Sequence, residues 1–166
     1  VADGGFEYDS SLWTLNGDIV TDKFHSGKKS LHWSPGGWDM NAQQDANITV
    51  IPGHTIRISY WAMVSTLGSI NGGLRFGYVD NSAGSHDLNT EDISKVTTAN
   101  LWTLITTDFV VPADAQGIFR IRIAYSYTGS GTTDIWLDDI SVKDVTAIVN
   151  VDKKATDAGN AAKAAD

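Results

Sequence analysis

Apolar and polar side chains alternate with a period of two along most of this 166-residue chain, and no helical period precedes residue 145. In residues 55–64, apolar side chains occupy every second position: Ile56, Ile58, Tyr60, Ala62 and Val64. The positions between them carry Arg57, Ser59, Trp61 and Met63. A period of two is that of a β-strand with one buried face. This segment is therefore predicted to be a strand that lies against a core.

Several other segments are predicted to be strands. The same period recurs in residues 74–78, 102–111 and 119–127, and shorter candidates are 18–24, 30–34, 39–43, 46–50 and 134–143. Turns rich in glycine and proline separate them, at 35–37, 52–53, 71–73 and 129–131. About nine strands joined by tight loops predict an all-β fold, an antiparallel β-sandwich of the jelly-roll type.

Composition and charge limit the class of protein. Apolar residues make up 42% of the chain, enough for one hydrophobic core. No apolar run approaches the ~20 residues of a membrane span and the chain begins at Val1, so we expect a soluble, processed fragment. The net charge of −8 repels phosphate backbones and anionic lipids, so neither nucleic acid nor a membrane is an expected partner. The absence of cysteine excludes disulfides and thiolate metal sites.

The chain changes character after Val145. From there the apolar positions follow a heptad spacing: Ile148, Val151, Ala155, Ala158, Ala162 and Ala165. This stripe predicts a short helix, although two and a half Ala-rich heptads interrupted by Gly159 are marginal without a partner. A flexible linker is the alternative. The predicted division is a sandwich domain of 1–145 and a helical or linker segment of 146–166.

Carboxylates occur at both ends of the predicted sandwich. Glu7 closes the opening motif Asp3–Glu7, and Asp138 lies in the last strand, within Ile135–Val142. Because the first and last strands of a jelly roll are neighbours, these two acids can converge. Hard oxygen ligands of this kind suit Ca²⁺, which also accepts backbone carbonyls. The alternative is that these acids belong to turns and solvated strand ends.

The order of several short motifs, from residue 3 to about 144, resembles the β-jelly-roll carbohydrate-binding modules of families 4, 9, 16 and 22. The motifs are the Gly-Gly-Phe-Glu start, the Ser26–Leu31 turn, Ile58–Met63, Trp102 leading to Phe109–Pro112, and Ile135–Val142. The resemblance implies a structural calcium ion. Carried over by position, its ligands are the carboxylates of Glu7 and Asp138 and the carbonyls of Ser26 and Lys29, with Asp139 replacing Asp138 if the register differs by one.

A sugar-binding site needs a flat aromatic ring for the apolar face of a pyranose and planar polar groups for its hydroxyls. Trp38 follows a glycine turn and precedes Asn41 and Gln43, so it is predicted to be an exposed platform. In the modules that this chain resembles, an aromatic residue after a similar turn stacks on the sugar. The alternative is that Trp38 caps the edge of the core. Trp61 is either a second platform or a core residue with an inverted pattern.

Arginines and a polar loop supply further candidate ligands. The four arginines lie on the polar faces of strands, where they form either a groove with forked donors or a solvated face with Asp partners: Arg57, Arg75, Arg120 and Arg122. Residues 80–92 are predicted to be a long polar loop that overhangs the sheet and presents His86 and Asp87 to a ligand.

These observations predict a non-catalytic carbohydrate-binding module that targets a parent enzyme or particle to a polysaccharide or cell-surface glycan. The predicted ligand-binding residues are Trp38, Asn41, Gln43, Trp61, Arg75, His86, Asp87, Arg120 and Arg122. An extracellular location follows from the resemblance: secreted, cell-surface or virion. Catalysis is not expected, because both glutamates are assigned elsewhere and no paired histidines or nucleophile motif occur.

The heptad segment supports an alternative function. It resembles the Ala-rich coiled-coil connectors of phage tail and bacterial surface proteins. A receptor-binding or adhesion domain of such a fibre, forming homo-oligomers through residues 146–166, is therefore the second hypothesis.

Overall fold

The computed structural model describes residues 3–8, 10–34, 40–46, 51–67, 70–80, 85–89, 95–127 and 133–164. Ten strands lie in this part of the chain: β1 (Thr14–Asn16), β2 (Asp18–Val20), β3 (Ser30–Trp33), β4 (Met40–Ala46), β5 (Thr55–Val64), β6 (Ile70–Asp80), β7 (Ser85–Asn89), β8 (Thr103–Val110), β9 (Ala115–Tyr127) and β10 (Ile135–Asp144). A 3₁₀ turn at Ser10–Leu12 precedes them, and helix α1 (Thr146–Ala164) follows.

The strands form two five-stranded sheets. Sheet A has the order β1-β4-β9-β6-β7, and sheet B has the order β2-β3-β10-β5-β8. The pairings that the structure describes are antiparallel in both sheets. The prediction of an all-β antiparallel sandwich with a short C-terminal helix is therefore confirmed.

The core lies between the two sheets. On β5 the five predicted inward residues, from Ile56 to Val64, are all buried. Sheet A contributes Ala42 and Ile123 from its side, and both are fully buried. Trp13 and Trp33 are also buried. Burial of each large apolar side chain stabilises the fold by about 1.5–3 kcal/mol.

The main departure from the predicted elements lies in sheet A. The predicted loop of residues 80–92 contains strand β7, which pairs with β6 from Arg75↔Asn89 to Val79↔Ser85. This part of the prediction is wrong. Ser85–Asn89 has only one large apolar residue, Leu88, so its sequence does not show the pattern of a strand. It is a strand because its backbone pairs with β6 at the edge of the sheet. The short strand β1 was not predicted, and the predicted strand 46–50 lies outside the described residues after Ala46.

Helix α1 begins directly after the sandwich. Val145 is buried, and its N–H donates to the carbonyl of Thr55 at 2.9 Å. The two largest residues of the heptad stripe are exposed, Ile148 at 58% and Val151 at 65%. In the described part of the chain, no helix combines the length and apolarity needed to cross a bilayer.

Candidate functional site

The outer face of sheet A carries polar side chains on its central strands. Along β4, Ala42 and Gln44 are buried towards the core, whereas Gln43 between them is half-buried. Along β9, Ile123 is fully buried and the neighbouring Arg122 is half-buried. Because successive side chains of a strand point to opposite faces, Gln43 and Arg122 lie on the outer face.

The strand register aligns these two residues with further predicted ligands. One row of directly paired positions crosses all five strands of sheet A: Thr14, Gln43, Arg122, Arg75 and Asn89. A second row on the same set of positions contains Asp45, Arg120, Gly77 and Asp87. A third contains Asn16, Asn41, Ala124 and Gly73. Directly paired positions share a face of the sheet, so six predicted ligand residues occupy three adjacent rows.

The rows define the direction of a possible groove. Strands lie about 4.8 Å apart, so a five-strand row extends over roughly 19 Å, across the strands. In the third row, β9 and β6 carry only Ala124 and Gly73, which have little or no side chain. Small residues therefore occupy two central positions of the third row, next to the row of Gln43, Arg122 and Arg75.

Three other predicted ligand residues do not lie in these rows. His86 is exposed on the edge strand β7. It pairs with Tyr78, a position that lies between the rows described above, so it does not share their face of the sheet. Trp38 lies outside the described residues. Trp61 lies on sheet B, where it pairs with Asp138 and Leu104.

The placement of Trp61 overturns one of the two interpretations of its pattern. Trp61 is not a core residue, because it is half-buried and belongs to the outward-facing set of β5 in sheet B. Its role as a platform stays a prediction. Arg57, on the same set, donates to both oxygens of Asp108, at 2.7 and 2.8 Å. Arg57 is therefore a surface residue with an Asp partner and stands apart from the other three arginines.

The acids predicted to converge do so around the turn of residues 25–29, which we call the acid corner together with Glu7, Asp138 and Asp139. Asp138 is fully buried. Its Oδ2 accepts from the backbone N–H groups of His25 at 2.8 Å and Ser26 at 3.1 Å. Burial raises the pKa of Asp138, and these hydrogen bonds oppose that effect. The carboxylate thus holds one end of the turn.

Glu7 holds the other end of the turn. Its Oε1 accepts from the N–H groups of Lys28 at 2.7 Å and Lys29 at 2.9 Å, and Lys29 Nζ donates to the Glu7 carbonyl at 2.8 Å. Gly5 marks the middle of the corner. A Cβ at Gly5 would lie 3.4 Å from Asp139 Oδ1, 3.6 Å from Asp138 Oδ1 and 3.7 Å from Glu7 Cγ. Two carboxylate oxygens, of Asp138 and Asp139, and the Cγ of Glu7 therefore lie close to Gly5.

Left-handed backbone conformations are concentrated near the same corner. Asp3, Phe6 and Asp139 have positive φ angles of 47°, 57° and 51°, and Gly27 has a φ of 64°. At Asp139 the register between β10 and β5 shifts, which is a β-bulge. Regular alternation would turn Asp139 towards the core. The bulge instead allows Asp139 to accept from Ser26 Oγ at 2.8 Å and to lie 2.7 Å from His25 Nδ1.

The chemistry of the corner suits a hard cation, but its present geometry is that of a hydrogen-bonded turn. Carboxylate and carbonyl oxygens are the donors that Ca²⁺ takes. Among the described residues, however, no three His, Asp or Glu side chains are arranged to hold a metal ion. The contacts of Glu7 and Asp138 described above are with the amides of the turn. Calcium ligation by the carbonyls of Ser26 and Lys29 therefore stays a prediction.

A cluster of aromatic rings, which the sequence did not indicate, lies on the outer face of sheet B. Residues 21–29, which we call the covering loop, lie across this face. His25 stacks on Trp61 with ring centroids 3.7 Å apart and an angle of 14° between the planes. Lys23 Nζ lies 3.9 Å from the ring centroid of Trp136. No periodic signal marks such contacts, because they join a loop to strands far away in the sequence.

Comparisons with solved structures find the same fold in carbohydrate-binding modules. A family 16 carbohydrate-binding module has a TM-score of 0.61 at 15% identity, over 86% of this chain and 98% of that chain. The CBM22-1–GH10 modules of Clostridium thermocellum xylanase 10B, complexed with xylohexaose, have a TM-score of 0.64 at 15% identity, over 85% of this chain and 28% of that chain. The CBM22-1 xylan-binding domain of Paenibacillus barcinonensis Xyn10C has a TM-score of 0.61 at 13% identity, over 86% and 92%.

The family assignment comes from the sequence. A comparison with curated protein sequences gave no match. The family model described as "Carbohydrate binding domain", for modules of families 4 and 9, matches residues 1–135. This match confirms the prediction of a non-catalytic carbohydrate-binding module. Because it covers most of the 166 residues, the chain belongs to this carbohydrate binding domain family.

Proposed function

We propose that the outer face of sheet A binds a polysaccharide chain laid across the strands. The observation that carries this proposal is the register row in which Gln43, Arg122 and Arg75 occupy directly paired positions on three adjacent strands. Amide and guanidinium groups are planar donors that suit sugar hydroxyls. Their repetition along one row suits a polymer better than a single sugar.

The proposed role is targeting. A module that holds a parent enzyme or particle on a polysaccharide raises the local concentration of its partner, so each site needs only modest affinity. We place this role outside the cell, where structural polysaccharides occur. Trp38 is proposed as the stacking platform of the same face. Helix α1 then serves as the connector to the remainder of the parent protein.

Xylan is the first ligand to test. Several similar structures are described as xylan-binding domains, and one similar structure holds xylohexaose. The rows of sheet A contain three arginine positions in a chain whose net charge is −8. The face itself is therefore less acidic than the whole chain, so carboxylated xylan belongs in the same comparison.

The binding experiment is calorimetric titration with xylohexaose and with a glucuronic-acid-substituted xylo-oligosaccharide. We expect Arg122→Ala and Gln43→Ala each to weaken binding roughly tenfold, because each removes hydrogen bonds worth about 1–2 kcal/mol. Arg57→Ala is the matched control, since Arg57 lies on sheet B with Asp108 as its partner. Unchanged affinity in the two sheet A variants, or an equal loss in Arg57→Ala, would refute this location.

We also propose that Ca²⁺ stabilises the acid corner through the carboxylates of Glu7 and Asp138 and the carbonyls of Ser26 and Lys29. The support is the approach of the Asp138 and Asp139 carboxylates and the Glu7 side chain to Gly5, together with the complete burial of Asp138. The N–H groups that now meet these carboxylates would have to give way to the ion. Bound calcium would supply charge compensation for the corner and fix the covering loop.

The calcium experiment is a thermal melt with Ca²⁺ or with a chelator. A ligand that binds only the folded state, at a free concentration of about 100 times its Kd, stabilises that state by about 2.7 kcal/mol. We therefore expect Tm to rise with calcium in the wild type and to stay constant in Glu7→Gln. Mg²⁺ serves as the ionic-strength control. Equal Tm values for calcium and chelator in the wild type would reject the calcium site.

A further inference from the structure

A cleft on the outer face of sheet B has no part in the polysaccharide face of sheet A. Its volume is about 350 Å³, and it lies between the covering loop and the segment that leads into β8. The lining residues are Asp22, Lys23, Phe24, Met63, Asn100 and Trp102.

The apolar part of the cleft presents aromatic rings. Trp102 is half-buried, and its ring centroid lies 6.0 Å from that of His25 at an angle of 70°. His25 in turn stacks on Trp61, so the Trp102 ring lies at the edge of a cluster of three rings. Phe24 is 40% exposed and Leu101, beside the cleft, is 56% exposed. Clustered apolar exposure of this kind marks binding sites on soluble proteins.

The polar part of the cleft is also positioned. Asn100 has a φ of 59°, and its N–H donates to the carbonyl of Val64 at 2.8 Å. Its Nδ2 donates to the carbonyl of Ser65 at 3.3 Å, which fixes the plane of the side-chain amide. Lys23 is held over Trp136 at 3.9 Å. A carboxylate, an ammonium and an amide therefore border the two aromatic rings.

We propose that this cleft is a second sugar-binding site, which takes a single pyranose ring or the end of a glycan chain stacked on Trp102. Aromatic rings bordered by fixed polar groups match the apolar face and the hydroxyl rim of a pyranose. A volume of about 350 Å³ is at the lower end of the range for ligand sites, which suits a short ligand. The class of ligand rests on the proposed function, whereas the location does not.

The two sites lie on opposite sheets, so they cannot share one short ligand. A module with both sites holds two glycan chains, or two parts of a branched glycan, at the same time. Occupation of both sites raises the avidity for an insoluble polysaccharide without tighter binding at either site.

The test is calorimetric titration of the intact chain with xylohexaose and with β-1,4-galactotriose, together with NMR of the Trp102 indole N–H. We expect two sites in the wild type, one in Trp102→Ala and one in Phe24→Ser. The Phe24 variant covers the case in which Trp102→Ala disturbs His25 and the fold. The control Leu104→Ser alters an exposed residue of the same face outside the cleft lining and should keep both sites.

The outcomes separate this proposal from the proposed function. In one outcome, the wild type has a single binding site, which is lost in Arg122→Ala, and the Trp102 indole signal does not move on titration. This outcome would overturn the second site and support the sheet A site. Binding that survives Arg122→Ala but not Trp102→Ala would refute the sheet A site alone. Concentration-dependent dimerisation that is abolished by Phe24→Ser, without any sugar response, would show that the cleft binds a second copy instead. Absence of binding to both sugars would refute both proposals.

Discussion

Single residues at the acid corner work by leaving space or by accepting hydrogen bonds. Gly27 has a φ of 64°, and a Cβ there would contact the carboxylate of Glu7. Gly53 has a φ of 79° but has no atom within 4 Å of the Cβ position. The two glycines therefore share the backbone requirement and differ only in the space beside them.

This pair predicts a graded effect of alanine. Gly53→Ala should lower the free energy of unfolding by about 1–2 kcal/mol, the cost of a left-handed backbone. Gly27→Ala should lower it by a further 1–3 kcal/mol or so, because Glu7 then loses its hydrogen bonds to Lys28 and Lys29. Urea denaturation of both variants without added calcium measures the difference. Equal losses would show that Glu7 adapts without cost.

At the scale of the residue, the sequence indicated which acids meet but not how they are held. The motifs at the two ends of the predicted sandwich, Asp3–Glu7 and Ile135–Val142, indicated that Glu7 and Asp138 lie close together. The bulge at Asp139 and its contact with His25 depend on residues more than 110 positions apart in the sequence. Such pairings leave no local pattern, because each partner alone is an ordinary polar residue.

The elements around the sandwich are attached by a few side chains. Helix α1 is joined to β10 by Asp144, whose Oδ1 accepts from the Thr146 N–H at 3.0 Å and from its hydroxyl at 2.6 Å. Its Oδ2 lies 2.6 Å from His54 Nδ1. Thr146 Oγ1 accepts from the Thr55 N–H at 2.8 Å. Asp144 therefore accepts the hydrogen bond of the Thr146 N–H, which has no partner within the helix. The hydroxyl of Thr146 connects the start of the helix to β5.

This junction predicts a pH dependence. The hydrogen bond from His54, followed by those from Thr146, lowers the pKa of Asp144 from 3.8 to about 2. Because the folded pKa lies below the unfolded one, Asp144 stabilises the fold above its ordinary pKa and loses this effect as the pH falls through about 2. Asp144→Asn should therefore have a lower Tm than the wild type near neutral pH and the same Tm in strong acid.

The measurement is Tm against pH for both proteins. The control is Asp114→Asn, which changes an exposed aspartate elsewhere. Its Tm difference from the wild type should not disappear as the pH falls through about 2. A difference for Asp144→Asn that persists unchanged in strong acid would contradict the assignment.

For the molecule as a whole, the sandwich carries the core and α1 extends from it. Residues 150–158 of the helix are exposed. An isolated helix of this length is marginal in water, so it adds little to the stability of the sandwich. Thr146 belongs to the junction and should be kept in any truncation.

A variant that ends at Thr146 should therefore keep the fold and the affinity for sugar. We expect its free energy of unfolding to change by less than about 1 kcal/mol, as is usual for changes at exposed positions. Circular dichroism melts and xylohexaose titration provide the measurement. A much larger loss of stability would show that α1 packs on the sandwich or on another copy.

The period of two by itself determined that the chain is a β-sandwich and which face of β5 enters the core. It also placed Gln43 and Arg122 at polar strand positions. A period states which residues share a face of one strand, but not which sheet the strand joins. Only the tertiary structure therefore separated Trp61 from the arginine rows, turned residues 85–89 into an edge strand and brought Trp102 beside Phe24. These arrangements depend on pairing and loop packing between distant segments, which no local pattern records.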